Sequence, residues 1–235
     1  MSKQQNKLGL IREFLSQPLE KDEIAFLYLG YAGVVLRLED EVAAFDIANL
    51  LGNSEIAALS RLCLLAYTHS HTDHYNRARA RRILKETNAH IVAQKQVAED
   101  LKGEAHLERL TVAEHRKSIR VGGFEVVAID GVHPRPISIY RIKKGRFNVF
   151  HGGDSGYCPV KDYPAKLVFL PTGLPSPSCS PESALKFTLD LKPRVAVAMH
   201  GKLAQMNKFK TLVKKEQPDT TIIIPEKNKP ETILI

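Results

Sequence analysis

Residues 62–74 read LCLLAYTHSHTDH. Leu62 to Tyr67 is a nearly continuous apolar run of strand length, as expected of a β-strand covered on both faces and therefore of a sheet layered with helices. It empties at Thr68 into His69, His71, Asp73 and His74, three imidazoles and a carboxylate within six residues. In an extended loop the spacing of two sends His69, His71 and Asp73 to one side, and His74 then turns onto the following helix. Histidines this crowded repel one another when charged and waste burial when neutral, so metal ligation explains them better than packing does. So short a segment does not close comfortably around one ion, whereas two adjacent metals sharing the loop use all four side chains. Imidazole with carboxylate suits Zn²⁺, Mn²⁺ or Fe rather than the oxygen-only sites of Ca²⁺.

Working outward, the chain alternates strand and helix signals. Residues 7–16 carry Leu8, Ile11 and Leu15 on one face of a short helix, with Pro18 just beyond it. Ile24 to Leu29, Val34 to Leu38 and Val42 to Phe45 read as a β-meander that ends at Asp46. A helix is expected over 76–87, a weaker one from Ala93 to Leu101, and a second meander over Phe124 to Ile129, Ile137 to Ile142 and Phe147 to Phe150. Leu167 to Leu170 is a further strand. Ser180-Pro181-Glu182 supplies an N-cap, a first-turn proline and an early carboxylate for a helix to Leu191. Val195 to Met199 returns as a buried strand into His200, and Leu203, Met206, Phe209 and Val213 mark a last helix. Three more candidate ligands stand where strands end: His133, Asp154 and His200. No short-period repeat and no linker interrupts the pattern, so the expectation is one α/β domain over 1–235, two packed sheets with helices outside.

Composition bounds the function. At 235 residues and 43% apolar content the chain can bury a sizeable core. No stretch approaches the ~20 apolar residues of a membrane helix, and MSKQQNKLGL lacks the apolar core of a signal peptide. Three widely spaced cysteines, Cys63, Cys158 and Cys179, suit a reducing compartment, so a cytoplasmic address with no membrane partner is expected. Cys158 and Cys179 read as ordinary free thiols, Cys63 as core, and His90 and His106 carry no motif. The net charge of +8 admits nucleic acid and anionic metabolites alike. Its densest run includes Arg77, Arg81 and Lys85, one stripe of a helix, with no aromatics interleaved for base stacking. A solvated helix face is the reading. Oligomeric state is left open, a homo-oligomer included.

These motifs together resemble the metallo-β-lactamase superfamily, and within it the branch of short ascorbate-6-phosphate lactonase-like hydrolases. The resemblance runs from about Phe26 to the helix after His200. It rests on Asp46 closing an early strand, the H-x-H-x-D-H string of 69–74, a later single histidine, the Gly153-Asp154 pair followed by Ser155, and the run from Ser180-Pro181-Glu182 to Ala198-Met199-His200-Gly201. It implies a four-layer αββα sandwich and two divalent metal ions, Zn or Mn, with Fe also compatible. His69, His71 and His133 would hold the first ion, Asp73, His74 and His200 the second, and Asp154 would bridge them. Asp46 would stand behind the histidine loop, and His151, at a strand end directly behind Gly152-Gly153-Asp154, is read as a packed residue behind the ligands rather than a substrate-facing proton carrier. Two such ions can share a water and bring its pKa toward about 7, which is hydrolysis chemistry, with Asp154 and Asp73 orienting the nucleophile. A small anionic substrate follows, a lactone or phosphorylated sugar derivative by the branch resemblance, with Arg135 as a candidate contact for its charge. The second reading is a phosphodiesterase or nuclease acting on RNA, DNA or a cyclic nucleotide.

Overall fold

The computed structural model describes residues 3–104 and 106–235, leaving aside the side chains of residues 3–6. In chain order the elements are α1 (Lys3–Ser16), β1 (Glu23–Gly30), β2 (Gly33–Leu38), β3 (Glu41–Phe45), α2 (Asn53–Ala58), β4 (Leu62–Tyr67), α3 (Arg77–Glu86), β5 (His90–Ala93), α4 (Lys95–Asp100) and β6 (Leu110–Val112). There follow β7 (Ser118–Val121), β8 (Phe124–Asp130), β9 (Ser138–Lys144), β10 (Phe147–His151), β11 (Leu167–Pro171), α5 (Pro181–Leu191), β12 (Val195–Met199), α6 (Leu203–Glu216), β13 (Thr221–Ile223) and β14 (Pro230–Leu234). The chain divides into two compact units, residues 1–112 with 226–234, and residues 113–225 with 235.

The first unit is a seven-stranded sheet in the order β14-β1-β2-β3-β4-β5-β6. Pairings are antiparallel from β14 to β3 and parallel from β3 to β6. One face packs on helices: Ala25, Leu27, Val35 and Leu65 cluster with Ile11 and Phe14 of α1, Ile83 and Leu84 of α3, and Val97 of α4. The alternate set, including Ile24, Phe26, Val34, Leu36 and Leu64, is equally buried. Burial on both faces is why these strands read as unbroken apolar runs rather than as alternation. Gly33 begins β2 in a close approach, where a Cβ would lie 3.1 Å from the Gly30 carbonyl and 3.2 Å from the Asp46 carbonyl and would displace the Leu50 side chain.

The second unit repeats the plan. Its sheet has the order β13-β12-β11-β10-β9-β8-β7, antiparallel from β7 to β10 and parallel from β10 to β13. Helices α5 and α6 supply Ala184, Phe187, Met206 and Phe209 to a core with Ile139, Phe150, Val168 and Ala198. The Ser180 cap is as read: its side chain accepts the Ser183 N–H, and Pro181 occupies the first turn. Two mixed sheets flanked by helices make this an α/β fold. No disulfide links Cys63, Cys158 and Cys179, and among the described residues no helix is long and apolar enough to cross a membrane.

Two sequence expectations need correction. The helix expected from Ala93 to Leu101 is present as α4 but begins at Lys95, and Ala93 instead closes β5 (His90–Ala93), a strand absent from the sequence reading. Four residues are too few to display a period, and Gln94, whose side chain accepts the Gln96 N–H, is the cap that marks the switch. The C-terminal reading stopped at a helix, yet β13 and β14 follow it. β14 pairs antiparallel with β1, Leu27 opposite Pro230 and Glu23 opposite Leu234, a partner some 200 residues away that no local pattern announces. The proline sits at the first residue of an edge strand, where its missing N–H costs least. Deleting residues 226–235 uncovers the apolar strand β1 as a new edge. The expected outcome is aggregation on expression, measured as loss of the monodisperse peak in size-exclusion chromatography; a truncated chain that stays soluble at wild-type yield would contradict it.

Candidate metal centre

In the first unit the candidate ligands rise from the C-terminal end of β4, the end at which open parallel sheets bind ligands. Asp46 anchors them. It follows β3 directly, has a left-handed backbone (φ 46°) and is fully buried. Its carboxylate accepts the Thr68 N–H at 2.8 Å and the Thr68 hydroxyl at 2.7 Å, and lies 2.8 Å from His74 Nδ1. The Thr68 hydroxyl has one proton and gives it to Asp46, so at 3.0 Å from His69 Nδ1 it acts as acceptor. Donor accounting therefore puts a proton on Nδ1 of both His69 and His74, leaving each Nε2 with its lone pair. That is the tautomer in which an imidazole binds metal, set by an acceptor behind the ring.

The other loop residues are placed by the same turn. The His71 carbonyl accepts the N–H groups of His74 (3.0 Å) and Tyr75 (2.8 Å), closing the loop onto α3. Ligand atoms of His69 and His71 lie within 4.8 Å of each other, and Asp73 Oδ2 lies 3.5 Å from His74 Nε2. His69 and His74 are buried, while His71 and Asp73 are half-buried. All four sequence-predicted residues of the string thus share one site with Asp46.

In the second unit His133, Asp154 and His200 also stand at one end of the sheet, on the loops after β8, β10 and β12. Asp154 Oδ2 lies 3.5 Å from His133 Nε2. His133 Nδ1 rests on the Arg135 backbone, accepting its N–H at 3.1 Å and lying 3.2 Å from its carbonyl, which fixes the ring's position on the loop. The Arg135 side chain is exposed. His151, fully buried, accepts the Gly153 N–H at Nδ1 (3.2 Å) and so shapes the turn that presents Asp154. His200 has a left-handed backbone (φ 44°), and its carbonyl accepts the N–H groups of Gly173 (3.1 Å) and Thr172 (3.3 Å).

Several residues position these loops in ways that the sequence reading did not assign. Ser155 Oγ accepts the Val132 N–H and donates to the Gly156 carbonyl, tying the His133 loop to the Asp154 loop. Ser176 Oγ and Cys179 Sγ both donate to the Asp154 carbonyl at 2.8 Å. Cys179, read from sequence as unremarkable, is a structural donor, and burial raises its thiol pKa well above the usual value. Gln205, at the third position of α6, accepts the Leu174 and Lys202 N–H groups with one oxygen and joins the loop after β11 to the His200 loop. The Gln at the third helical position was the one readable hint, being the carboxamide half of a capping box.

The donor set fits divalent transition metals: imidazoles, two of them (His69 and His74) with Nδ1 turned to an acceptor behind the ring, beside carboxylates on strand ends. Asp46→Asn keeps the shape but removes the charge that fixes both tautomers. Metal affinity, measured by competition with a chromophoric chelator, should fall by about 10- to 100-fold while the circular dichroism spectrum is retained; unchanged affinity would show that Asp46 does not set the rings. Burial, then Asp130 and Asp190, push the Cys158 thiol up to about 11, so at pH 8 its thiolate fraction falls about a hundredfold. Alkylation followed by mass spectrometry should be slower by that order in the native chain than in the unfolded one, and should accelerate as pH rises toward 11.

Residues 43–201 match the family model of the beta-lactamase superfamily domain. Among solved structures, the chain is similar to Igni18, a metallo hydrolase from the archaeon Ignicoccus hospitalis, with 20% identity, 91% of this chain and 99% of that one covered, and a TM-score of 0.76. It is similar to an isothiocyanate hydrolase from Delia radicum gut bacteria at 14% identity, over 91% of this chain and 100% of that one, with a TM-score of 0.67. CmlA, a diiron β-hydroxylase from Streptomyces venezuelae, shares 15% identity over 93% of this chain and 55% of that one, with a TM-score of 0.66. Likeness at such identities is likeness of fold, and a hydrolase and a hydroxylase on one fold put the chemistry in the site. No curated protein matches the chain significantly. The family match begins inside β3 and ends at Gly201, taking in Asp46, the histidine loop, His133, Asp154 and His200, and by it the chain belongs to the metallo-β-lactamase superfamily.

Proposed function

We propose that the chain is a cytoplasmic metal-dependent hydrolase, one functional domain over 1–235, that uses two divalent ions, Zn or Mn with Fe as an alternative, on a small anionic substrate. The observation that carries this reading is the pair of acceptors behind the buried rings, the Thr68 hydroxyl 3.0 Å from His69 Nδ1 and the Asp46 carboxylate 2.8 Å from His74 Nδ1, an arrangement that suits ligation through Nε2. In this reading His69, His71 and His133 would hold one ion, Asp73, His74 and His200 would hold the other, and Asp154 would serve both. When bound, the ions supply Lewis acidity and bring the pKa of water toward about 7. Asp46 and Thr68 keep the imidazoles in register. Asp73, with its carboxyl 29% exposed, and Asp154 orient the attacking water and take its proton at a carboxylate oxygen. Arg135 receives the anionic group of the substrate, a lactone or a phosphorylated sugar derivative in the lactonase-like reading.

The alternative, a phosphodiesterase or nuclease, depends on free cations for a polyanion. In the basic stripe Arg77 pairs with Glu104 at 3.0 Å and Asp100 at 3.7 Å, and Arg81 with Glu104 at 2.6 Å. Carboxylates already neutralise much of that charge, which favours the small-substrate reading.

Reconstituted, dialysed protein should hold about two equivalents of metal per chain by inductively coupled plasma mass spectrometry. Asp154→Ala should lose more than any single histidine variant, in metal content and in hydrolysis of test lactones together, because its carboxylate offsets the charge of both ions. A wild-type chain that takes up no metal would end the proposal, and one that stops at a single equivalent would end its two-ion form.

A further inference from the structure

Exposed large apolar side chains in the second unit gather on the loops that carry its candidate ligands. Among the described residues of that unit they are Val132 (51% exposed), Leu174 (50%), Leu189 (41%) and Leu203 (65%). Leu189 lies on α5. Val132 directly precedes His133, Leu174 follows Thr172-Gly173, whose N–H groups bond the His200 carbonyl, and Leu203 stands three residues beyond His200. β8 reaches β10 through two antiparallel pairings, and β10, β11 and β12 are mutually parallel, so all three loops leave the sheet at the same end.

Hydrogen bonds hold the three positions in place. Gln205 Oε1 accepts the N–H of Leu174 at 3.1 Å and of Lys202 at 3.0 Å, so the backbones before Leu203 and at Leu174 meet on one atom. A Cβ at Gly173 would lie 2.1 Å from Gln205 Nε2, which makes glycine a condition of that approach. Val132 is pinned by its N–H to Ser155 Oγ (2.8 Å) and its carbonyl to the Gly156 N–H (2.7 Å). The same network continues from Asp154 through Ser176 to the Gly173 carbonyl. Two exposed cations share these loops, Arg135 two residues past His133 and Lys202 two past His200.

A single exposed leucine is ordinary, but apolar side chains fixed together at the edge of a polar site mark a surface that binds something. The geometry points to a substrate that is an anion with an alkyl or aryl body, such as an alkyl-substituted lactone or ester bearing a carboxylate or phosphate. Val132, Leu174 and Leu203 grip the body, and Arg135 and Lys202 meet the charge. This inference rests on the proposed roles of His133 and His200 and narrows the substrate away from sugar derivatives, whose hydroxyls gain nothing from an apolar rim.

The test needs no knowledge of the reaction. Methyl-, butyl- and hexylphosphonate are titrated calorimetrically into the Zn-loaded full chain, wild type and the Leu174→Ser/Leu203→Ser double variant, with Val132→Ser as a further variant should the double one fail to fold. In the wild type, hexylphosphonate should bind at least about tenfold tighter than methylphosphonate, well within what the added methylenes can contribute. That ratio should fall to about threefold or less in the double variant and drop measurably in Val132→Ser. A wild-type ratio near one, a ratio that survives in the variants, or no phosphonate binding to metal-loaded protein would overturn the inference and leave the hydrolase reading standing. A wild-type chain that takes up no metal would instead refute the hydrolase reading on which it rests.

Discussion

Asp46 is a carboxylate with no exposure to solvent, and the histidine loop of the first unit closes on it through Thr68 and His74. A buried charge with too few donors would cost several kcal/mol. Here the Thr68 amide, the Thr68 hydroxyl and His74 Nδ1 all close on it within 2.8 Å. The consequence runs outward: Thr68, having spent its proton, can only accept from His69, and both rings are turned so that Nε2 is the available nitrogen. One anion thereby sets two tautomers and ties the ends of β3 and β4 together, at a point where Asp46 itself adopts a left-handed backbone. That conformation costs about 1 to 2 kcal/mol for a residue with a Cβ, and the three hydrogen bonds offset it.

The two units solve the same problem with the same plan. Each sheet runs through antiparallel pairings into parallel ones, and in each a carboxylate follows the strand where the direction of pairing changes: Asp46 after β3, Asp154 just beyond β10. At that switch the chain leaves hairpins and begins crossovers, which opens a gap at the carboxyl ends of the strands. In the second unit the gap is managed by short polar side chains rather than by one anion. Ser155, Ser176, Cys179 and Gln205 bond backbone to backbone across four consecutive loops, so His133, Asp154 and His200 are held on a continuous chain of contacts.

What was legible in the sequence follows from how far each signal must travel. The β4 run and the histidine string were plain because strand, loop and ligands are contiguous. His200 was readable because a buried strand leads straight into it. Asp46 needed a resemblance to be noticed, for nothing in its neighbours says that a threonine 22 residues later will close on its carboxylate. β5 was hidden by its four-residue length and β14 by a partner at the opposite end of the chain. The roles of Gln205, Ser155, Ser176 and Cys179 were hard to read for a different reason: they act on backbone groups, and a residue that recognises a main-chain N–H or carbonyl leaves no trace in the type of its partner.

This difference bears on how chemistry can vary on the fold. The candidate ligands are fixed at strand ends by hydrogen bonds that in His69 and His74 engage the ring itself and in His71, Asp154 and His200 the backbone carbonyl. Val132, Arg135, Leu174, Lys202 and Leu203 sit on the same loops, yet their side chains reach solvent while their backbones are fixed or flanked by those contacts. Such positions can change side chain without moving a ligand. Variation in what the fold accepts is therefore expected at such positions, on loops whose backbone is held by buried hydrogen bonds while the side chain is unconstrained by them.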